Sequence, residues 1–334
     1  MADLELSFAI GANPRSRPVL TGQVKAQGIQ LHCSSIHGSE IFWRQLAFKE
    51  FELSEMSMSS LLMARSHGDD TWVALPVFTS RMFFHTGVLV SEQSGIKNPE
   101  DLNGKRVGVP EYQQTAALWT RGILQHEFGV DPKQISWYME RPPERSHGGA
   151  TGFDPTKIGI NLQYIPTDTD IGEQLVSGGL DATLLYLANA GNLVDRSSRE
   201  LGAVGSGAVP LFSDRRAEAA RYFAKTGLFP VNHCVAVRKD IVERYPWVML
   251  NLYSMFLEAK QIAHQETLAG LGPFLETGVA ENSVADALGR DLFPYGVRAN
   301  LNLLETITAY SHEQGLTSRQ LALDEVFYPP SLEL

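Results

Sequence analysis

Apolar and polar residues alternate through Leu4–Ile10, and the run stops at Gly11-Ala12-Asn13-Pro14, which predicts a strand followed by a loop. Gln30–Ser34 reads as a second strand. Ser39–Phe48 then places Ile41, Phe42, Leu46 and Ala47 on one helical face. Phe51–Met56 predicts a third strand that opens through Ser57-Met58-Ser59-Ser60 into a helix reaching Ala64. Trp72–Phe78 and Phe84–Ser91 read as further strands. Asn98–Gly104 is a capped turn closed by glycine. Arg106–Pro110 is a short buried strand ended by a proline that cannot continue a ladder. Behind it, Ala117, Leu118, Ile123, Leu124 and Phe128 keep helical spacing through 116–128.

The second half repeats the alternation of strand and helix. Ile135–Met139, Gln163–Ile165 and Leu180–Leu185 are expected strands, and Ile171–Ser177 is a short helix closed by glycines. Asp214–Lys225 predicts a helix, Phe229–Arg238 a strand, and 245–264 and 299–314 two amphipathic helices. This order predicts an α/β protein of two lobes around a central ligand cleft. Crossovers are expected near 91–97 and within 199–212. Residues 1–91 and 205–334 would then form one discontinuous lobe, with 92–204 inserted as the other. Between them, 140–158 has proline, glycine and mixed charge without a regular period. Loops of that length are uncommon unless they act as lids.

Composition narrows the classes. The chain has 334 residues, 43% apolar content and a formal charge of −10. That charge argues against nucleic acid or an anionic membrane surface as the main partner. It leaves room for a small anion held by a local pair of arginines. The two cysteines, Cys33 and Cys234, suggest no disulfide framework, and no cysteine–histidine spacing suggests zinc. No metal or cofactor is therefore expected. The opening MADLELSFAI lacks the features of an export signal, so a cytoplasmic protein is expected. Homo-oligomer formation stays open.

Two places look suited to an anion. A strand that runs through a polar turn into a helix aims free backbone N–H groups and the helix dipole at whatever lies above the sheet edge. Glu111, Tyr112, Gln113 and Thr115 form one such turn, and Ser57, Met58 and Ser59 another. Each also reads as an ordinary βα connection with its caps. Arg15 and Arg17, in the loop after the first strand, could clamp a carboxylate in bidentate fashion or form a solvated basic turn.

Beyond the single βα motif, a wider set of residues resembles the 4,5-dihydroxyphthalate decarboxylases, a branch of the type II periplasmic-binding-protein-like fold. It comprises Ser80-Arg81 with His85-Thr86, Gly108-Val109-Pro110-Glu111-Tyr112-Gln113, Phe229-Pro230 with His233, Pro246-Trp247, Pro294-Tyr295-Gly296-Val297 with Asn300, and Glu313-Gln314-Gly315-Leu316. The chain departs from the expected pattern in three places. Ala12-Asn13-Pro14 replaces an acidic pair, and Phe84 and Leu187 stand where arginines are expected. Losing two guanidinium groups near a cleft would remove bidentate partners for a dicarboxylate, so a less charged aromatic acid is an alternative substrate.

The resemblance implies a cofactor-independent decarboxylase acting on a small hydroxylated aromatic carboxylate. Such a site needs a proton donor at the ring carbon, an acceptor for the phenol proton and cationic anchors for carboxylate. His233 is the expected proton donor, because histidine titrates near neutrality and this one lies by an expected hinge. His85 is the second candidate, and Glu111 the phenol acceptor. Arg81 and Arg15 are the expected anchors, Asn232 lies beside His233, and Tyr295 could close the site. Each also has a structural reading as a satisfied core or capping residue. Two alternatives stay open: a non-catalytic binding protein for an aromatic carboxylate, and another cytoplasmic lyase on the same fold. Fold alone does not choose between them.

Overall fold

The computed structural model describes residues 3–188 and 192–334. Eleven strands among these residues form two sheets. They are β1 Leu4–Ile10, β2 Ile29–Ser35, β3 Leu53–Ser57, β4 Trp72–Arg81, β5 Leu89–Ser91, β6 Arg106–Val109, β7 Ser136–Met139, β8 Asn161–Tyr164, β9 Ala182–Thr183, β10 Ala208–Pro210 and β11 Val231–Arg238. The first sheet has the order β2-β1-β3-β11-β4, and the second β10-β5-β9-β6-β7-β8. β1 pairs parallel with β2 and β3, whereas β11 runs antiparallel between β3 and β4. In the second sheet β6 pairs parallel with β7 and β9, and the connecting strands β5 and β10 pair antiparallel with each other.

The helix Thr115–Phe128 lies between the sheets. Its first ten residues, Thr115 to Leu124, are all buried, as expected for a helix covered on every side. Trp119 fixes it to the first sheet by donating its indole N–H to Val231 O at 2.8 Å. The helix Leu301–Glu313 packs on its other flank, where Tyr310 meets Trp119 edge to face. One apolar cluster runs through this region from Met56, Met58 and Leu61 to Val107, Tyr112 and Trp119. A second, around Phe8, Val235, Val237 and Phe256, fills the far side of the first sheet.

Several elements differ from expectation. Phe84–Gly87 is a 3-10 turn, and only Leu89–Ser91 of that segment is strand. Phe84, His85 and Thr86 are all buried in this turn, where Thr86 N–H and its hydroxyl both donate to Phe83 O. The helix beginning at Trp247 continues past 264 to Glu276, with Pro273 in its last turn. The segment 140–158 is partly ordered as a turn at Pro143–Arg145 and a helix at His147–Thr151. Among the described residues, no helix is long and apolar enough to cross a membrane.

Gly122 reports how tightly the central helix is held. A Cβ there would lie 2.2 Å from Tyr310 Cδ2 and 2.8 Å from its Cγ, near the fixed base of the ring. Helix propensity favours alanine over glycine by about 1 kcal/mol, but overpacking costs about 1–3 kcal/mol. Gly122→Ala is therefore expected to lower stability, read as a lower urea midpoint. A raised midpoint would show that Tyr310 yields freely.

Candidate active site

β3 is buried along its whole length, yet carries Glu55 in its middle. An ionised carboxylate there needs several donors. Gly11 N–H donates to Oε2 at 2.8 Å, Thr79 O–H donates to Oε1 at 2.5 Å, and His233 Nδ1 lies 2.7 Å from Oε1. Burial pushes the Glu55 pKa up, but His233, Thr79 and Gly11 outweigh it and leave the carboxyl below its ordinary range. The carboxylate therefore fixes the His233 proton on Nδ1, as in a catalytic dyad, and no described protein group bonds Nε2. The Phe42 ring meets the imidazole edge to face at 4.6 Å. His233 faces Ser57 because β11 is antiparallel to β3.

Ser57 starts the helix Met58–Ser66 but does not cap it with its side chain. Its hydroxyl instead lies 2.9 Å from that of Thr115, the first residue of the central helix. Ser59 N–H donates to the same Thr115 oxygen at 2.9 Å. Two helix N-termini, one from each sheet, thus meet at one point. Both bring partial positive charge and unpaired donors. Ser59 Oγ is buried there without a hydrogen-bond partner.

The second sheet contributes a buried polar cluster behind this point. Arg141, just after β7, donates from Nε and Nη2 to Asp195 Oδ1 at 2.8 and 2.5 Å, and from Nη1 to Glu111 Oε1 at 3.2 Å. Arg141 Nη1 also lies 3.0 Å from His147 Nε2. His147 N–H donates to Glu111 Oε1 at 3.0 Å, and Gln113 donates to Glu111 Oε2. Burial raises the Glu111 pKa despite Arg141. Burial and the charges of Arg141 and His233 hold His147 well below the ordinary histidine range, so it is neutral at pH 7. His147 Nδ1 reaches across to Ser60 Oγ at 2.8 Å.

The expected site residues therefore separate into two groups. His233, Ser57, Met58, Ser59 and Thr115 come together, with half-buried Asn232 adjacent on β11. Glu111 and Gln113 line the floor behind them, but both Glu111 oxygens are already engaged. Arg15 is one residue removed: it donates to Thr79 O at 2.8 Å and stacks 4.0 Å over Phe293. Tyr295 is buried beside Arg15, and burial pushes its phenol up to about 12.

The structure does not bring His85, Arg81 or Tyr112 to this point. His85 is fully buried, with Nε2 3.0 Å from Glu218 and with Phe83, Phe212 and Tyr222 around its ring. Arg81 donates to Phe229 O, Pro294 O and Asn300 Oδ1, and burial brings it down to about 10. Its guanidinium is committed to holding backbone. Tyr112 packs among Trp137, Phe153 and Arg121 in the core. Phe84 is buried and Leu187 half-buried.

Sequence reading did not single out Glu55, Thr79, Arg141, His147 or Asp195. Glu55 had only a weak signal, since Phe51–Met56 carries two carboxylates, Glu52 and Glu55, and nothing local says which is buried. His147 lay in the segment expected to act as a lid. Among the described residues no three His, Cys, Asp or Glu side chains cluster to hold a metal ion.

Comparison with known proteins gives a consistent picture. A family model described as NMT1/THI5 like matches residues 25–139. A 4,5-dihydroxyphthalate decarboxylase of Comamonas testosteroni is 33% identical over all of this chain and 99% of its own. Another, of Pseudomonas putida, is 36% identical over 55% of this chain and 71% of its own length. Among solved structures, the alkanesulfonate-binding protein SsuA of Xanthomonas axonopodis pv. citri, bound to MOPS, aligns with a TM-score of 0.53 at 11% identity, covering 99% of this chain and 98% of SsuA. The desulfurization enzyme DszB, in complex with biphenyl-2-sulfinic acid, aligns with a TM-score of 0.52 at 16% identity, covering 100% and 98%. The fold is thus the two-lobed, periplasmic-binding-protein-like α/β fold.

The neutral state of His147 has a consequence for pH. Its folded pKa lies below the unfolded value near 6.5, so between the two the unfolded chain binds one more proton than the native one. Stability from this group is complete above about pH 6.5 and falls by about 1.4 kcal/mol per pH unit as acid is added. His85, also lowered by burial, adds to the same limb. His147→Asn is expected to make the limb shallower by one proton, measured from urea midpoints between about pH 5 and 7. An unchanged slope would mean that His147 is protonated in the folded protein.

Proposed function

We propose that this chain, which belongs to the 4,5-dihydroxyphthalate decarboxylase family, is itself a carboxy-lyase converting 4,5-dihydroxyphthalate to protocatechuate and carbon dioxide. The observation that carries the reading is the full-length relative; the His233–Glu55 pair beside two converging helix N-termini supports it. The substrate has two carboxylates, each para to a hydroxyl. One must leave and the other can serve as a handle. The handle fits the meeting of the N-termini at Met58 and Thr115, where the Ser57 hydroxyl and Ser59 N–H bond the Thr115 hydroxyl and that hydroxyl can turn its own proton to a carboxylate.

The chemistry then asks little of the protein beyond placement. As the para hydroxyl gives up its proton, electron density moves to the ring carbon bearing the leaving carboxylate. His233 delivers a proton to that carbon, forming a C–H bond and a transient dienone. The carbon–carboxylate bond breaks, its electron pair returns to the ring, and aromaticity is restored as carbon dioxide departs. The para hydroxyl passes its proton to solvent and the product phenolate takes one back, while His233 is reprotonated from solvent, so the net change is one proton consumed for each carboxylate lost. Glu55 holds the ring of His233 in one orientation for the transfer. Phe42 gives the imidazole an apolar neighbour.

Phe84 and Leu187 do not argue against a dicarboxylate. Phe84 is a core residue, and the donors that suit the second carboxylate are backbone and hydroxyl groups rather than the two missing guanidiniums.

The test is direct. Purified, chelator-treated protein is incubated with 4,5-dihydroxyphthalate, and protocatechuate is followed by chromatography. Multiple turnovers are expected, and His233→Gln should lower kcat by about 10²–10⁴-fold, the usual contribution of a positioned acid. Phthalate affinity in that variant should stay within a few-fold of wild type. A His233→Gln rate close to wild type would remove the acid assignment. Binding without turnover by the wild-type protein would instead identify a solute-binding module.

A further inference from the structure

We propose that His147 is a positioning residue that polarises a row of hydroxyls toward the substrate carboxylate. This rests on the reading of the helix N-termini as the carboxylate seat. The row begins at Arg141. A guanidinium only donates, so His147 Nε2, 3.0 Å from Arg141 Nη1, accepts. Glu111 Oε2, 3.2 Å from the same nitrogen, already accepts from Gln113 and competes weakly for an imidazole proton. The ring therefore carries its proton on Nδ1 and donates to Ser60 Oγ at 2.8 Å.

Direction then passes along the row. Ser60 Oγ, having accepted, donates to Ser57 Oγ at 3.3 Å. Ser57 Oγ–H is left to donate to Thr115 Oγ1 at 2.9 Å, which also accepts from Ser59 N–H. Thr115 Oγ1 thus receives two protons and owns a third, for which no acceptor exists among the described residues. A hydroxyl donor left over at the meeting of two helix N-termini is what an anion requires. Without the donor at His147, Ser60 and Ser57 could turn the other way, and Thr115 would no longer be forced to present its proton.

The row also crosses between the sheets. Arg141, Glu111 and His147 belong to segments of the second sheet, whereas Ser60 and Ser57 belong to the first. Every member is buried, so bulk water does not scramble the direction. His147 does not touch the reacting carbon in this scheme; it acts through Ser60. Its removal should therefore weaken substrate capture rather than the chemical step.

The experiment compares steady-state kinetics of His147→Phe, His147→Asn, Ser60→Ala and the double variant His147→Phe/Ser60→Ala on the full chain. In His147→Phe, KM for 4,5-dihydroxyphthalate should rise roughly ten- to a hundredfold, the scale of a lost hydrogen bond to a charged group. Over the same change, kcat should stay within about threefold of wild type, because the lost contact is made equally in ground and transition states. His147→Asn, which keeps an N–H near the Nδ1 position, should recover most of KM. The double variant should be no worse than the worse single, since one row is broken only once. An unchanged KM in His147→Phe, a loss confined to kcat, or additive effects in the double variant would overturn the proposal. Should the wild-type chain not turn over 4,5-dihydroxyphthalate, the activity reading fails on its own. Calorimetric titration with phthalate then decides this proposal: weaker binding in His147→Phe upholds it, and equal binding overturns it.

Discussion

The site depends on one buried carboxylate. Glu55 sits in a strand with no solvent on either face, and an unpaired charge there would be too costly for a folded chain to carry. Its three partners come from the end of β1, from β4 and from β11. Satisfying this one group therefore fixes where three separate segments stop and how they face each other. The same bond that satisfies Glu55 sets the tautomer and orientation of His233. That partner is available only because the chain returns to the first sheet and inserts β11 antiparallel between β3 and β4. A parallel strand in that slot would pair with a different register and would not set His233 opposite Ser57.

The two sheets divide the work. The first supplies the imidazole and one helix N-terminus. The second supplies the other N-terminus and a buried cluster in which Arg141 stands between two carboxylates, Glu111 and Asp195. Buried ion groups of this kind add little net stability, because desolvation consumes the Coulombic gain. Their value lies in fixing geometry. Arg141 cannot move without stranding two acids, and Glu111 cannot move without releasing the backbone of His147. The mobile-looking segment after β7 is thereby held to one conformation by charge, although it contains little regular structure.

The order of strands and helices, the two-lobed architecture and the polar turns at Ser57 and Thr115 were legible from periodicity and from small polar residues at strand-to-helix junctions. His233 stood out in the sequence as a histidine by an expected hinge, and the structure places it beside Ser57. What stayed hidden were partners distant in sequence. His233 and Glu55 are 178 residues apart, and nothing local to either announces the other. Arg81 and His85 misled because a cation or imidazole in a motif-like stretch reads the same whether its partners are a ligand or backbone carbonyls. Only the tertiary contacts of Arg81 with Phe229, Pro294 and Asn300 show that it is spent on structure. His147 was obscured differently: its segment has no period, so no face could be assigned to it.

The contacts between the lobes at the site also bear on how a substrate enters. Those across the meeting point are Ser57 with Thr115, Ser59 N–H with Thr115 and Ser60 with His147, with Trp43 donating to Glu144 O at the rim. All are bonds between neutral groups, worth about 0.5–1.5 kcal/mol each. The apolar cluster from Met56 to Trp119 and the Trp119–Val231 bond join the same two sheets, so these polar bonds set the local geometry of the meeting point rather than holding the lobes together by themselves. A carboxylate seated beside Thr115 adds a charge-assisted bond, roughly twice as strong as a neutral one, and leaves the row intact. A ligand that gains more in the closed arrangement than in the open one shifts the balance toward closure by that difference. The hydroxyl row that links the lobes would then be the one that directs the Thr115 proton toward that carboxylate. A ring lacking the second carboxylate would leave that proton without an acceptor in a buried place, and a buried donor left unpaired carries its full desolvation penalty.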